Sequence, residues 1–306
     1  MRTRIAEGLT GSVTWRAVPA MAGGFLVTLV SAVLVLCLGR RRRDAVSADR
    51  LLRWWAGGCL RAAGARVRVT AGPGSAVLGP VGLDAVGLDA VGLDAVGLDA
   101  VGLDAVGLGP VGLGPVELDA VGPCVVVANH QSGLDPVTLV KALPLSLRIL
   151  AMRELFEIVL LGRALRTIGM IEVDRESPSL RVIVKSVAEL LAAGHSVLIF
   201  PEGKISVDGS VREFKDGAFL MAVMNQVPIL PVAICGTNKV WPAAGREIRS
   251  GTVHIAIGPP IATSGRTRRD VPALRAQARE FIATAHDACP VHTSGHPRCP
   301  GSTRTG

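Results

Sequence analysis

Val125-Val126-Val127-Ala128 runs directly into Asn129-His130-Gln131-Ser132-Gly133-Leu134-Asp135-Pro136, and this junction constrains the fold more than any other stretch of the chain. Residues 124–128 are short, apolar and β-branched, the pattern of a buried strand. Pro136 suits the first turn of a helix over 136–142, with Asp135 as its N-cap. Residues 131–134 read as a loop, which Gly133 lets turn sharply. Such a loop lets His130 and Asp135 converge at the C-terminal end of a strand, where open α/β sheets bind ligands. A histidine beside a carboxylate is the simplest general base at neutral pH, because the carboxylate fixes the tautomer and stabilises the imidazolium. Taken alone, Asp135 reads as a helix cap and His130 as a loop histidine. The downstream sequence carries the choice.

Beyond this junction, strands alternate with helices. The apolar runs 147–152, 170–173, 196–200, 229–233 and 252–257 read as strands, and 154–167, 177–193, 215–225 and 270–286 as helices. The expected fold class is α/β, a mixed sheet flanked by helices, with an N-terminal membrane-anchoring helix.

Three further blocks follow the first in order. They are Gly169-Met170-Ile171-Glu172-Val173-Asp174-Arg175, Phe200-Pro201-Glu202-Gly203-Lys204-Ile205-Ser206, and Val227-Pro228-Ile229-Leu230-Pro231-Val232 running into Cys235-Gly236-Thr237. Together with Asn129-His130 through Asp135, they resemble the four motifs of the glycerolipid acyltransferase family that includes 1-acylglycerol-3-phosphate acyltransferase. The resemblance covers residues 65–70 and 121–260. It implies that His130 deprotonates an acceptor hydroxyl and that Asp135 orients and charge-stabilises His130. It also implies that the hydroxyl oxygen attacks the thioester of acyl-CoA or acyl-carrier protein without an acyl-enzyme. Arg175, Glu202 and Gly203 match positions assigned to acceptor binding, and Pro231 lies in the block associated with the acyl donor. The acyl donor is a co-substrate, and no metal or tightly bound cofactor is implied.

The chemistry of these residues suits those roles. A guanidinium such as Arg175 matches phosphate oxygens bidentately. Gly203 allows close backbone approach to an anion. Other readings of the single blocks remain: a solvated turn or internal ion pair for Asp174-Arg175, and an ordinary strand exit for Phe200–Gly203. In two places the chain departs from the family. Its third motif usually reads Phe-Pro-Glu-Gly-Thr-Arg-Ser, whereas here Lys204 and Ile205 stand for the Thr and Arg. Isoleucine cannot bind a phosphate; Lys204 brings a charge one residue earlier, and Lys215 resembles another basic position of the family. Gly133 stands where the family often carries an aromatic residue. An acceptor other than lysophosphatidate, such as lyso-ornithine lipid, is the alternative this raises.

Residues 18–38 are almost wholly apolar and uncharged, the length of a bilayer-spanning helix, and Arg40-Arg41-Arg42-Arg43 follow at once. The positive-inside rule then places the catalytic domain on the cytoplasmic face of the cell membrane. A signal peptide carries its positive charge in front, so it fits less well; a re-entrant or interfacial hairpin is the other reading. Residues 48–63 form a helical pattern with Trp54-Trp55 among arginines, suited either to a membrane interface or to core packing. The net charge of +8 suits membrane lipids and phosphorylated substrates. Nucleic acid binding is discounted because aromatics make up only 3% and no reader motif is present.

Val81-Gly82-Leu83-Asp84-Ala85 begins a tandem pentapeptide that extends to Ala120. A period of five fits neither helix nor strand, and a low-complexity insertion between two strands is expected in preference to a short β-helix. The six cysteines suggest no disulfide framework, and Cys124 and Cys235 read as inert buried thiols. Cys289, His292, His296 and Cys299 have zinc-binding side chains, but their prolines and glycines suggest a disordered tail. The expected organisation is an anchor over 1–44, an interfacial helix and first strand over 45–75, the insertion over 76–122, the catalytic domain over 123–287, and the tail over 288–306. A catalytically inert lipid-binding protein is the rival from another class. A serine hydrolase is disfavoured because no Gly-x-Ser-x-Gly elbow is present.

Overall fold

A computed structural model describes residues 17–38, 45–71, 121–173, 180–243, 245 and 247–293. The pentapeptide repeat, Arg40–Arg43, Arg175, His296 and Cys299 lie outside the described residues, and the side chain of His292 is likewise not described. The strands are β1 (Ala65–Ala71), β2 (Val125–Ala128), β3 (Leu147–Met152), β4 (Ile171–Val173), β5 (Ser196–Ile199), β6 (Ile229–Cys235) and β7 (Gly251–Ile257). They form one sheet in the order β1-β7-β6-β2-β5-β3-β4. Every pairing is parallel except β6–β7, so the sheet is mixed. The first motif therefore leaves the C-terminal end of a central strand, with β5 and β6 on either side.

Alternation along the strands builds two cores. Val126, Ala128, Leu198, Leu230, Val232 and Ile234 face one side. There they meet α2 (Ala45–Ala62), α3 (Asp135–Ala142) and α5 (Val159–Thr167). Val125, Val127, Val197, Ile229 and Ala233 face the other. They pack on α6 (Leu180–Ala192), α7 (Gly217–Asn225) and α9 (Val271–Asp287). The expected helix over 154–167 is broken at Ile158 into α4 (Arg153–Glu157) and α5. Gly162 passes so close to the Phe156 carbonyl that a Cβ there would overlap it, which only glycine permits. A short α8 (Thr237–Val240) and a last turn, α10 (Pro290–Thr293), follow their neighbours without a marked apolar period.

The expectation of a membrane-spanning N-terminal helix is not supported. Among the described residues no helix is long and apolar enough to cross a membrane. The N-terminal helix, α1, runs over Ala17–Leu38. This stretch packs against the catalytic unit. Ala32 and Val35 join the core shared with α2 and α5, and Trp55 Nε1 donates to Thr28 Oγ1 at 3.0 Å. Arg148 and Asp49, paired at 2.7 Å with little solvent access, tie α2 to β3.

Candidate active site

The side chain of Asn129 is bonded both ways to the backbone of Ile234 on β6, with Nδ2 donating to its carbonyl and Oδ1 accepting from its N–H, each at 2.8 Å. The β2–β6 ladder thus continues one residue past the strand, which fixes where the loop departs. Gln131 Nε2 donates to the same carbonyl at 2.6 Å. His130 lies between these two anchors. Its Nδ1 is 2.8 Å from Asp135 Oδ2, its ring stacks on Phe200 with centroids 4.0 Å apart, and it is only 9% exposed. An ionised Asp135 requires the proton on Nδ1, which leaves Nε2 as the free base nitrogen.

Asp135 is fully buried and its carboxylate is surrounded by donors. Oδ2 accepts from the backbone N–H groups of Gln131 at 2.7 Å and Ser132 at 2.8 Å as well as from His130. Oδ1 accepts from the Thr237 hydroxyl at 2.5 Å. The expected N-cap role is corrected: Asp135 is the first residue of α3, Leu134 holds the cap position, and no side chain caps the helix. The carboxylate points back into the loop, where two amides and an imidazole bind it, and Pro136 has removed one amide from the helix's first turn.

His130 lines a cavity of about 460 Å³ that runs beneath α1, α2 and α5 and is walled by Ala32, Trp55, Leu161, Ala164, Met170 and Ile205 among others. That volume lies within the range of small-molecule sites. Two polar residues in the wall, Thr28 and Ser31, turn their hydroxyl hydrogens back onto the carbonyls of Gly24 and Val27. The result is a largely apolar cavity with the base in its wall.

The acyltransferase family profile matches residues 114–235. Human 1-acyl-sn-glycerol-3-phosphate acyltransferase alpha is 36% identical over 164 residues, 53% of this chain and 58% of that protein. The chloroplastic 1-acyl-sn-glycerol-3-phosphate acyltransferase of Brassica napus is 38% identical over 141 residues, 45% of this chain and 41% of that one. These matches support a glycerolipid acyltransferase family for the matched part of the chain. The matched part spans about half the length of these curated relatives. The crystal structure of a 1-acyl-sn-glycerophosphate acyltransferase from Thermotoga maritima shares the fold, with a TM-score of 0.62 and 21% identity over 89% of this chain and 94% of that one.

Residues of the first, third and fourth motifs meet around the His130–Asp135 pair. Glu202 is 4% exposed and accepts the His130 backbone N–H at 3.2 Å, while its second oxygen is buried without a partner. Burial pushes its carboxyl up to about 7, against the opposing pull of bonds from the backbones of His130 and Arg212. Gly203, with φ of 74°, lines the cavity, and the Lys215 ammonium stands 2.9 Å from where its Cβ would be. The positive φ favours glycine here, whereas the lysine tip is the end of a flexible side chain. Lys204 and Lys215 are exposed. Ile205, not Lys204, lines the cavity, so the residue standing for the family's arginine presents a hydrocarbon to the site. The Trp241 ring lies 3.5 Å from where a Cβ of Gly133 would stand, bringing an aromatic group beside the residue that lacks one.

Phe200 and Thr237 were visible in the motifs without a role. They approach His130 and Asp135 across 70 and 102 positions of sequence, and only the β5 and β6 pairings with β2 bring them there. The cysteine reading needs correction at Cys235, which is joined in a disulfide to Cys289, with Cα atoms 6.6 Å apart. The pairing follows from the end of β6 meeting the end of α9 across a separation of 54, a spacing no local pattern encodes. It also removes Cys289 from the tail's set of zinc-binding side chains. Cys124 remains a free thiol, pushed up to about 11 by burial. Among the described residues no cluster of three or more His, Cys, Asp or Glu side chains could hold a metal.

Proposed function

We propose that the protein is a membrane-surface O-acyltransferase that moves an acyl group from acyl-CoA or acyl-carrier protein to the free hydroxyl of a lysolipid, with 1-acylglycerol-3-phosphate as acceptor and phosphatidate as product. The observation that carries this is the placement of an Asp135-oriented His130 in the wall of a largely apolar cavity. Relatives named as 1-acyl-sn-glycerol-3-phosphate acyltransferases support the acceptor. His130 Nε2 takes the hydroxyl proton as the oxygen attacks the thioester carbonyl. The tetrahedral intermediate collapses to the ester, and the departing thiolate recovers the proton from the imidazolium. Asp135 stays ionised throughout and stabilises the cation between the two transfers. The cavity takes an acyl chain, and Arg175, Lys204 and Lys215 supply positive charge for the acceptor phosphate, beside Glu202 and Gly203.

Membrane contact is part of the proposal. Leu26, Leu29, Val30 and Val33 form one exposed stripe of α1 at helical spacing, and Trp54, Leu155, Ile158 and Val159 are exposed nearby in the chain's helical layer. The opposite stripe, Thr28, Ser31, Ala32 and Val35, lines the cavity. A helix with one apolar face toward the channel and another toward solvent suits the headgroup boundary of a bilayer, with the cytoplasmic leaflet matching the net charge of +8.

A second reading rests on Ile205. The hydrocarbon it turns into the cavity favours an acceptor without a phosphate monoester, such as lyso-ornithine lipid. Labelled acyl-CoA offered with a panel of lysolipids tests both readings. Phosphatidate as the main product supports the first, another acylated lipid supports the second, and acceptor binding with no transfer would refute both.

A further inference from the structure

We infer that Thr237 is a positioning residue for the catalytic pair, acting through its hydroxyl on the oxygen of Asp135 that His130 does not use. This rests on the acyl-transfer reading above.

The carboxylate of Asp135 is held from two sides. On the His130 side its Oδ2 takes the imidazole and two loop amides. On the far side Oδ1 takes the Thr237 hydroxyl at 2.5 Å. Both side chains are fully buried, so the carboxylate plane is set by these bonds and not by water. A carboxylate free to swing about its Cβ–Cγ bond would carry the imidazole with it, and Nε2 would lose its aim at the acceptor hydroxyl.

The hydroxyl is itself well anchored. Thr237 begins α8, directly after Gly236, whose φ of 92° turns the chain at the end of β6. A Cβ on Gly236 would stand 2.5 Å from the Thr252 carbonyl, so the corner is pressed against β7. Three residues earlier, Ile234 holds Asn129 and Gln131 on either side of His130. Between these two points Cys235 is tied to Cys289 beyond α9. One rigid corner, 234–237, therefore grips the loop on both sides of the base and the acid behind it.

Two substitutions separate the hydroxyl from the methyl. Thr237→Val keeps the shape and removes the donor, whereas Thr237→Ser keeps the donor and removes the methyl. With acyl-CoA and lysophosphatidate, Thr237→Val is expected to lose about 10- to 100-fold in kcat, the worth of a hydrogen bond to a charged group, with KM for the acyl donor changed less than about twofold. Thr237→Ser is expected to stay within about threefold of the parent. A folded Thr237→Val protein with parental kcat would overturn the inference. So would a Thr237→Ser protein as impaired as Thr237→Val, even if the valine protein fails to fold, because packing of the methyl would then explain the loss. An inactive parent protein would instead count against the acyl-transfer reading.

Discussion

The ring of Phe200 lies flat on the imidazole of His130, with centroids 4.0 Å apart and planes 16° from parallel. Phe200 comes from the end of β5 and His130 from the end of β2, neighbouring parallel strands whose third and first motifs are thereby pressed together. The stack covers one face of the base, and Asp135 fixes its edge. What remains open to a substrate is the side toward the apolar cavity.

The crowded carboxylate makes Asp135 intolerant of an amide. In Asp135→Asn, one terminal atom becomes a donor facing other donors. Turnover is expected to fall by roughly 10²–10⁴-fold, the usual scale of a lost general base. Stability is expected to fall by about 1–3 kcal/mol, for buried N–H groups left without an acceptor. Steady-state kinetics and urea unfolding check both, and unchanged unfolding would show that the donors are not bound as described.

Glu202 links stability to pH. Its carboxyl is raised by burial from an ordinary value near 4.5 to about 7, so the folded protein keeps a proton that the unfolded chain has lost. Between those values the folded state binds more protons, and stability therefore falls as pH rises. The contribution is fully present below the unfolded value and gone above about 7. Glu202→Gln imitates the protonated form and is expected to remove this slope. Melting curves at pH 5 and pH 8 should show a smaller drop in Tm for the variant than for the parent, and equal drops would count against it.

Ala164 stands on α5 in the cavity wall. Ala164→Phe should place its ring in the channel and shorten the chain that fits. The kcat/KM for a long-chain acyl-CoA is expected to fall by about tenfold or more, consistent with the ~0.8 kcal/mol attached to each buried methylene. A short-chain donor should be affected far less. A chain-length profile identical to the parent's would place the acyl chain elsewhere.

Ile205→Arg restores a guanidinium where the family carries one. A charge-assisted bond to a phosphate is worth about 1.5–3 kcal/mol, so KM for lysophosphatidate is expected to fall by roughly tenfold or more. KM for a lysolipid without a phosphate monoester should stay the same or rise. Competition between the two acceptors measures the ratio directly, and an unchanged ratio would separate Ile205 from acceptor choice.

The sequence made much of the catalytic core legible, for reasons visible in particular residues. Val125–Ala128 is apolar on both faces because it is a central strand with helices above and below, so its neighbours could be read as a strand-to-helix turn. The His130–Asp135 convergence followed from that turn. Asp135's cap role did not hold, because a carboxylate with nearby loop amides prefers them to a helix end that begins with proline. Contacts set by strand order were out of reach. Phe200, Thr237 and the Cys235–Cys289 link each join segments 54 or more positions apart, and no local period records which strand lies next to which. The N-terminal helix was less legible, because an apolar run reads alike whether it meets lipid tails or, as Ala32 and Val35 do, a protein core.

The central claim is that His130 takes the proton from a lysolipid hydroxyl. Its most direct test is the rate of phosphatidate formation from acyl-CoA and lysophosphatidate by the full chain and by His130→Ala, with circular dichroism confirming that both are folded. The expected result is steady turnover for the parent and a loss of about 10²–10⁴-fold for the variant. A folded His130→Ala protein that turns over at the parental rate would contradict it.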